Sequence, residues 1–490
     1  MNTLSNWLDF LSTKIILVLC LIFFVAAAFY SFINGIETYI YTNDFLHFLA
    51  WISGIVAALG VYILFINRLL SNKMFLIFLI LFAFTVRLIW ILNFNTRIES
   101  DFYILYTAAV DAANGNFNFS EQLYFRSWVY QIGFTMYQAL VIAVFGESVF
   151  VLKFISVFYS IGITVLIYLI GKEVINETAG RIAAIFYASY ASSIVMTSVL
   201  TNDHLSTLFY LLGFYLIVKT KNPTIKIGLL IGLFIGLGNI IRPLGSLILI
   251  AIFLYYIVYR VILETKERRL RSLGTLFGIF IAYFLVMNIA SYAFIAAGVT
   301  EYPLSNRAPY WKFLIGVNQE TNGGYSAEDA SFMSQFSLGD ERDKVEKELI
   351  LERIADKEQV ANLLYRKFKI MWGHGDASIN WSMSSIDRPF VFQQLKAIER
   401  ATYFIMLVFA FIFLFLFRKK LSTPLIFLLV VILGYVMSHL LIEIQTRYRF
   451  FIMPIFSILA GGGLAMISTM LFKYNKVVSE RLDPKKNDIQ

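Results

Sequence analysis

Three arginines stand where long apolar runs meet: Arg447 and Arg449 in EIQTRYRFFIMP, and Arg242 in GNIIRPLG. A guanidinium presents a planar fork of donors that fits phosphate bidentately, so arginines at a membrane boundary are candidates for holding one. Snorkelling to headgroups, or pairing with Glu443, is the alternative use. Lys153 offers a further cation at an apolar boundary, and Arg87, near the end of its own run, is expected to pair with a carboxylate. Asp101, in RIESDFYILYTAAVDAANGNF, opens a helix-like stretch with Ser100 in position to cap it. The positive end of a helix keeps a carboxylate ionised, and an ionised carboxylate is what a general base needs to take a proton from a hydroxyl; a plain capping aspartate is the other reading. Asp203 and His204, in SVLTNDHLST, could ligate a divalent metal or orient an acceptor, or could simply cap a helix beside a headgroup-level imidazole. VNQETNGGYSAEDA and MWGHGDASINWS gather Tyr325, His374 and Asp376 among Gly, Asn and Trp. That palette suits stacking on and hydrogen bonding to a sugar, and it equally suits turns and an interfacial Trp381.

The elements that must position these groups are apolar. With 59% apolar and 15% charged residues, an ordinary soluble domain is excluded. The expectation is an all-α integral membrane protein of about 12 transmembrane helices. The expected spans are 15–33, 45–66, 74–93, 150–170, 180–198, 204–220, 226–241, 243–263, 272–298, 399–417, 422–442 and 450–472. The alternating pattern of a membrane β-barrel is missing. A lone Cys20 rules out an internal disulfide framework. Net charge +9 sits in short connections between runs, which indicates membrane topology rather than nucleic-acid binding. The first run, with small residues at Ala26–Ala28, is expected to be an uncleaved anchor. Trp128–Gly146 is also apolar, but if it crossed, the basic connections after it would change sides. It is therefore expected to be an outer juxtamembrane or re-entrant helix, with Tyr130, Gln131, Tyr137 and Gln138 facing protein or headgroups.

The expected organisation is N-terminal spans in 1–73, a transmembrane core in 74–298 with an outer juxtamembrane segment at 94–149, and an extracytoplasmic loop of roughly 100 residues in 299–398. C-terminal spans in 399–472 and a basic cytoplasmic tail in 473–490 follow. A helix or two is expected in DERDKVEKELILERIADKEQVANLLYRKF.

Taken in order, SDFYILYTAAVDAANGNF, VFGESVFVLKFISVFYSIGITVLIYLIGKEV, VLTNDHLSTLFYLLGFYLI, GLGNIIRPLGSLILI and QTRYRFFIMPIFSILAGGG form a set. The set resembles the GT-C superfamily of polyprenyl-phosphate-sugar-dependent membrane glycosyltransferases, in the branch of protein O-mannosyltransferases and aminoarabinose transferases. The resemblance implies that Asp101 is the catalytic base, that Asp203 lies close to a metal or the acceptor, and that Arg447 and Arg242 handle donor phosphate. It implies a polyprenyl-phosphate-linked sugar and an extracytoplasmic glycan, glycolipid or protein acceptor as partners. It also implies inversion at the sugar, and a bacterial plasma membrane with the site on its outer face. Two departures leave metal dependence open: Phe102 follows Asp101 where many relatives have a second acid, and His204 follows Asp203. The first two spans look like an addition before the usual core. A flippase for lipid-linked sugars, or an O-antigen-type ligase or polymerase, is the rival reading.

Overall fold

The computed structural model describes residues 3–40, 45–62, 69–418 and 421–482. Residues 483–490 of the expected basic tail lie outside the described residues, as do Arg68, Lys419 and Lys420 of two basic connections and the end of the second expected span. Among the described residues there are helices and no strands. In chain order the longer ones are α1 (Thr3–Ile40), α2 (Phe45–Val61), α3 (Asn72–Asn93), α4 (Asp101–Ala113), α5 (Gln131–Phe145), α6 (Val149–Val174), α7 (Glu177–Ser189) and α8 (Asp203–Lys219). They continue with α9 (Ile225–Ile241), α10 (Gly245–Tyr255), α11 (Lys266–Ala296), α12 (Asp340–Arg353), α13 (Lys357–Gly373), α14 (Pro389–Phe417), α15 (Thr423–Leu441) and α16 (Met453–Leu482).

Among the described residues, eight helical segments are long and apolar enough to cross a membrane: Trp7–Glu37, Asn72–Asn93, Val149–Val174, Gly245–Ile262, Lys266–Ala296, Pro389–Phe417, Thr423–Leu441 and Met453–Met470. Of the other four expected spans, 45–66 begins as α2 with its end outside the described residues, 204–220 and 226–241 correspond to α8 and α9, of 17 residues each, and 180–198 is not one helix. There α7 stops at Tyr190, whose backbone is extended, and short turns at Ala191–Val195 and Met196–Ser198 follow. The run of hydroxyl residues explains the break. Ser193 Oγ donates to the Tyr187 carbonyl (2.6 Å), Thr197 Oγ1 to Ile194 (2.6 Å) and Ser198 Oγ to Val195 (2.8 Å), so side chains compete with the helix ladder. Arg87 answers the carbonyl freed at the break. It is fully buried and donates to Ala188 O (3.1 Å), Ser193 Oγ (3.0 Å) and Ser160 Oγ (2.6 Å). In place of the carboxylate partner expected for Arg87, neutral oxygens exposed at the broken helix satisfy its donors.

Helix starts follow local chemistry. Ser71, Ser148, Asn176, Thr224 and Asp356 cap α3, α6, α7, α9 and α13 with side-chain oxygens, and α14 and α15 carry a proline in the first turn. The span of α16 is the most enclosed of the eight, 72% buried, and packs on α6, α7 and α14. α9 and α11 meet backbone to backbone. A Cβ at Gly228 or Gly232 would lie 2.1 or 2.2 Å from the carbonyl oxygens of Thr275 and Ile279, so only glycine permits this approach. Gly232→Leu is expected to lower thermal stability in detergent by about 1–3 kcal/mol, the cost of overpacking a tight contact. Gly274→Leu, where an added Cβ meets nothing within 4 Å, is the control, and equal losses from the two would contradict the contact.

Candidate functional site

Three segments far apart in sequence converge on one carboxylate. Asp203 opens α8 and is fully buried. Its Oδ2 accepts from Thr201 Oγ1 (2.7 Å) and from Arg447 Nη1 (2.8 Å), and its Oδ1 is ion-paired with Arg242. Arg242 is positioned by the turn between α9 and α10, where Tyr210 Oη donates to the Arg242 carbonyl (2.7 Å). Arg447 is positioned by the 3₁₀ turn Thr446–Phe451, and its Nε donates to Gln445 Oε1 (2.9 Å). The Tyr448 ring lies beneath both guanidiniums, at 5.4 Å from Arg242 and 5.5 Å from Arg447. One negative and two positive charges are thus locked together out of water, a geometry that holds only while every member is paired.

The other face of Arg447 looks toward α4. Its guanidinium covers the ring of Phe102 at 5.1 Å and that of Trp381 at 5.4 Å, and Phe102 is the neighbour of Asp101. Asp101 is the first residue of α4 and is exposed. The expected Ser100 cap is not made. Ser100 instead takes φ +54°, a strained turn from the preceding strand-like segment into the helix, with its side chain bonded to no helix N–H. Although its side chain is open to solvent, the groups around the start of α4 desolvate Asp101 in part. Burial raises its carboxyl above the usual range; Lys312 and Arg447 oppose that rise, and Glu443 adds to it. Lys312 and Glu443 form an ion pair, reinforced by the Glu443 N–H donating to Lys312 O (2.9 Å). Tyr124 and Tyr130 lie within the electrostatic reach of Asp101. The Lys312 side chain remains 37% accessible, against 11% for Arg447 and 12% for Arg242, so it is the most open cation of the three. The sequence reading does not single out Lys312 or Tyr124, and it expects Tyr130 only to face protein or headgroups; the signal available for Lys312 is a lone lysine set among aromatics in PYWKFLIG.

Other candidates go elsewhere. Arg449 points away from Arg447, as a two-residue step on a three-residue turn requires, and lies fully buried over the Tyr403 ring (4.3 Å) between Asp376 (3.9 Å) and Glu399 (4.0 Å). Neither arginine pairs with Glu443, whose partner is Lys312. Lys153 is buried and its Nζ donates to the Thr96 carbonyl (2.8 Å), bracing the segment that leads to Asp101; among the described residues no ion pair joins it to the arginines. His204 is buried with its ring on Phe450 (4.8 Å between centroids), and among the described residues neither ring nitrogen finds a hydrogen-bond partner. The metal-ligand use considered for Asp203 and His204 does not fit this arrangement. Among the described residues no three His, Cys, Asp or Glu side chains are grouped to hold a metal ion. His374 and Asp376 line a cavity of about 620 Å³ beside the Arg449 cluster, bordered by Thr446 but by neither Asp101 nor Arg447. Tyr325 is exposed and, among the described residues, joined to none of these groups.

Residues 132–292, a third of the chain, match the family described as dolichyl-phosphate-mannose-protein mannosyltransferase. The match takes in Lys153, Asp203 and Arg242 and stops short of Asp101, Lys312 and Arg447. It falls in the same superfamily that the sequence motifs resemble. Among curated proteins none matches the chain. Among solved structures, the chain is similar to the oligosaccharyltransferase AglB of Archaeoglobus fulgidus in complex with an inhibitory peptide and a dolichol-phosphate: 14% identity, TM-score 0.46, covering 83% of this chain and 51% of that one. The apo form of the Archaeoglobus fulgidus oligosaccharyltransferase gives 13% identity and TM-score 0.47, covering 83% and 52%. ArnT from Cupriavidus metallidurans, bound to undecaprenyl phosphate, gives 10% identity and TM-score 0.34, covering 81% and 78%. The chain spans about half the length of the archaeal enzyme it matches.

Proposed function

We propose that this chain is a membrane glycosyltransferase that moves one sugar from a polyprenyl-phosphate donor to a hydroxyl on an extracytoplasmic glycan, glycolipid or protein, with the reaction centred on Asp101. The observation that carries the reading is the convergence at the start of α4: an exposed carboxylate, Asp101, beside Phe102, whose ring the Arg447 guanidinium covers at 5.1 Å, and within the field of Lys312. In the reaction, the acceptor oxygen bonds to the anomeric carbon as the bond from that carbon to the phosphate oxygen breaks. The acceptor proton passes to Asp101, and the bonding pair leaves on the polyprenyl phosphate. Attack opposite the leaving group inverts the sugar. Preorganised cations then lower the barrier by meeting charge as it develops on phosphate. Because Arg447 and Arg242 share Asp203, we assign the first contact with phosphate to Lys312, which can turn from Glu443, with Arg447 behind it. The family match across Lys153 to Arg242 supports a lipid-phosphate donor. The concentration of basic residues in the expected inner connections supports a plasma membrane location with Asp101 facing outward.

Incubation of the reconstituted protein with a panel of undecaprenyl-phosphate sugars tests the reading: one donor should be consumed with release of undecaprenyl phosphate only when acceptor is present. Translocation of the intact lipid with no bond broken would overturn it in favour of a flippase. A second expectation concerns pH. A base must be ionised to work, so activity should fall as pH drops through the raised pKa of Asp101, that is, above the range of an ordinary aspartate. Lys312→Met removes a cation that favours the ionised form. The acid limb should therefore move to higher pH, and kcat/KM should fall about 10- to 100-fold, the size of one charge-assisted contact to phosphate. An unmoved acid limb would place Lys312 outside the chemistry at Asp101.

A further inference from the structure

The transfer reaction leaves a buried cation unused. Lys367, on α13, is 0% exposed. Its Nζ donates to Gly316 O (2.7 Å), Leu440 O (2.8 Å) and Ile442 O (2.8 Å). An ammonium has three donors, so all of them are occupied by backbone carbonyls. Among the described residues no ion pair joins Lys367 to a carboxylate. A charge held out of water without a counter-charge is destabilising, and an apolar side chain of similar length would fill the same space without that penalty. The charge is tolerated because of what it gathers. Leu440 lies in the last turn of α15 and Ile442 caps that helix, so two of the three acceptors belong to its negative end. Gly316 is the last residue of the short helix Trp311–Gly316.

The segments gathered there carry the ion pair that stands near Asp101. Lys312 belongs to the short helix that ends at Gly316, and Glu443 follows Ile442 directly. From the ammonium the two segments run on together. Glu443 N donates to Lys312 O (2.9 Å), Ile444 N donates to Gly323 O (2.8 Å), and the Lys312 and Glu443 side chains are ion-paired. Three residues after Glu443 begins the 3₁₀ turn that carries Arg447. α13 holds the intervening turn as well: Arg366, beside Lys367, donates to Asn322 Oδ1 (2.6 Å) and Gln319 Oε1 (2.8 Å). The fit around the lysine is close. Gly323 takes φ +74°, and a Cβ there would lie 2.8 Å from both Cδ and Cε of Lys367.

We propose that Lys367 is a positioning residue for sugar transfer: by drawing three carbonyls onto one ammonium, it fixes where the Lys312–Glu443 pair stands beside Asp101. Enclosed and with every donor occupied, it does not itself reach phosphate. Loss of the ammonium frees the carbonyls at the end of α15 and at the end of the Lys312 helix together. The backbone bond between Glu443 and Lys312 then loosens, and Lys312 moves out of the field of Asp101. The effect on turnover rests on the transferase reading, whereas the anchoring of the two segments does not.

The test uses the full chain in phosphatidylcholine nanodiscs, as wild type, Lys367→Met, Lys367→Arg and Gly323→Ala. Amide hydrogen exchange at Glu443 and Ile444 is read first, because it needs no turnover. Lys367→Met should speed it about tenfold, the loss expected for one charged contact, while Lys367→Arg, which keeps a charge that can donate to carbonyls, should stay close to wild type. Gly323→Ala presses on the lysine stem without removing its charge, should shift exchange in the same direction as Lys367→Met, and carries the test if Lys367→Met does not fold. Transfer from an undecaprenyl-phosphate sugar is read next. In Lys367→Met, kcat/KM should fall about tenfold and the acid limb should move to higher pH, as in Lys312→Met, because a displaced Lys312 no longer favours the ionised form of Asp101; Lys367→Arg should restore both. Wild-type exchange in both Lys367→Met and Gly323→Ala would overturn the anchor. Faster exchange with unchanged kcat/KM and an unmoved acid limb would overturn the positioning role. The expected exchange pattern in a wild-type protein that consumes no donor would overturn the transferase reading and leave the anchor standing.

Discussion

Asp101→Asn is expected to lower sugar transfer by about 10²–10⁴-fold, the range that one positioned general base contributes, and to leave the protein folded. The two halves of that expectation have a common cause. The Asp101 pKa is raised because its surroundings desolvate the carboxylate more than Lys312 and Arg447 compensate. A carboxyl whose folded pKa lies above its unfolded value works against the folded state at pH above both. Asparagine removes the charge, so the thermal midpoint should stay level or rise slightly while turnover collapses. The same logic applies to the strained Ser100 that precedes it: stability has been given up where a reactive group must be held open. Transfer in a reconstituted assay within a few-fold of wild type would remove Asp101 from the role of base. A large drop in the thermal midpoint would show instead that the carboxylate is a structural cap.

Much of the architecture could be read from hydropathy and charge alone. Eight of the twelve expected spans have the length and composition to cross, and two helices occupy DERDKVEKELILERIADKEQVANLLYRKF. The break after α7 could not be read, because 180–198 is apolar enough on average to pass as one span, and whether its serines and threonines compete for the helix carbonyls depends on geometry that a linear reading lacks. At the site, arginine and aspartate at apolar boundaries marked Asp101, Asp203, Arg242 and Arg447 as residues with something to do. What each is joined to was beyond a linear reading. Arg447 and Arg449 look equivalent in EIQTRYRFFIMP, yet a 3₁₀ turn sends them to different carboxylates. Lys312 was invisible for a related reason: its meaning comes from Glu443, 131 residues away, and nothing local to PYWKFLIG signals that partner.

Asp203→Asn is expected to fail differently, losing stability and activity together. Removing one partner from a buried, hydrogen-bonded ion cluster leaves the remaining charges uncompensated, at a cost of about 3–5 kcal/mol. Here the remaining charges are two guanidiniums, Arg242 and Arg447, which share the one carboxylate from either side and would repel once it is neutral. The 3₁₀ turn that carries Arg447 would then shift, withdrawing the guanidinium from Phe102 and so from the neighbourhood of Asp101. Asp203→Asn combined with Arg242→Gln restores the balance to one neutral amide pair beside Arg447. Because the three residues act as one unit, the double variant should lose less stability than the sum of the single losses. Thermal unfolding of the four proteins measures this coupling directly. A folded Asp203→Asn protein with an unchanged midpoint and abolished transfer would mean that Asp203 meets the substrate, and that the cluster is catalytic rather than the brace that holds Arg447 over Phe102.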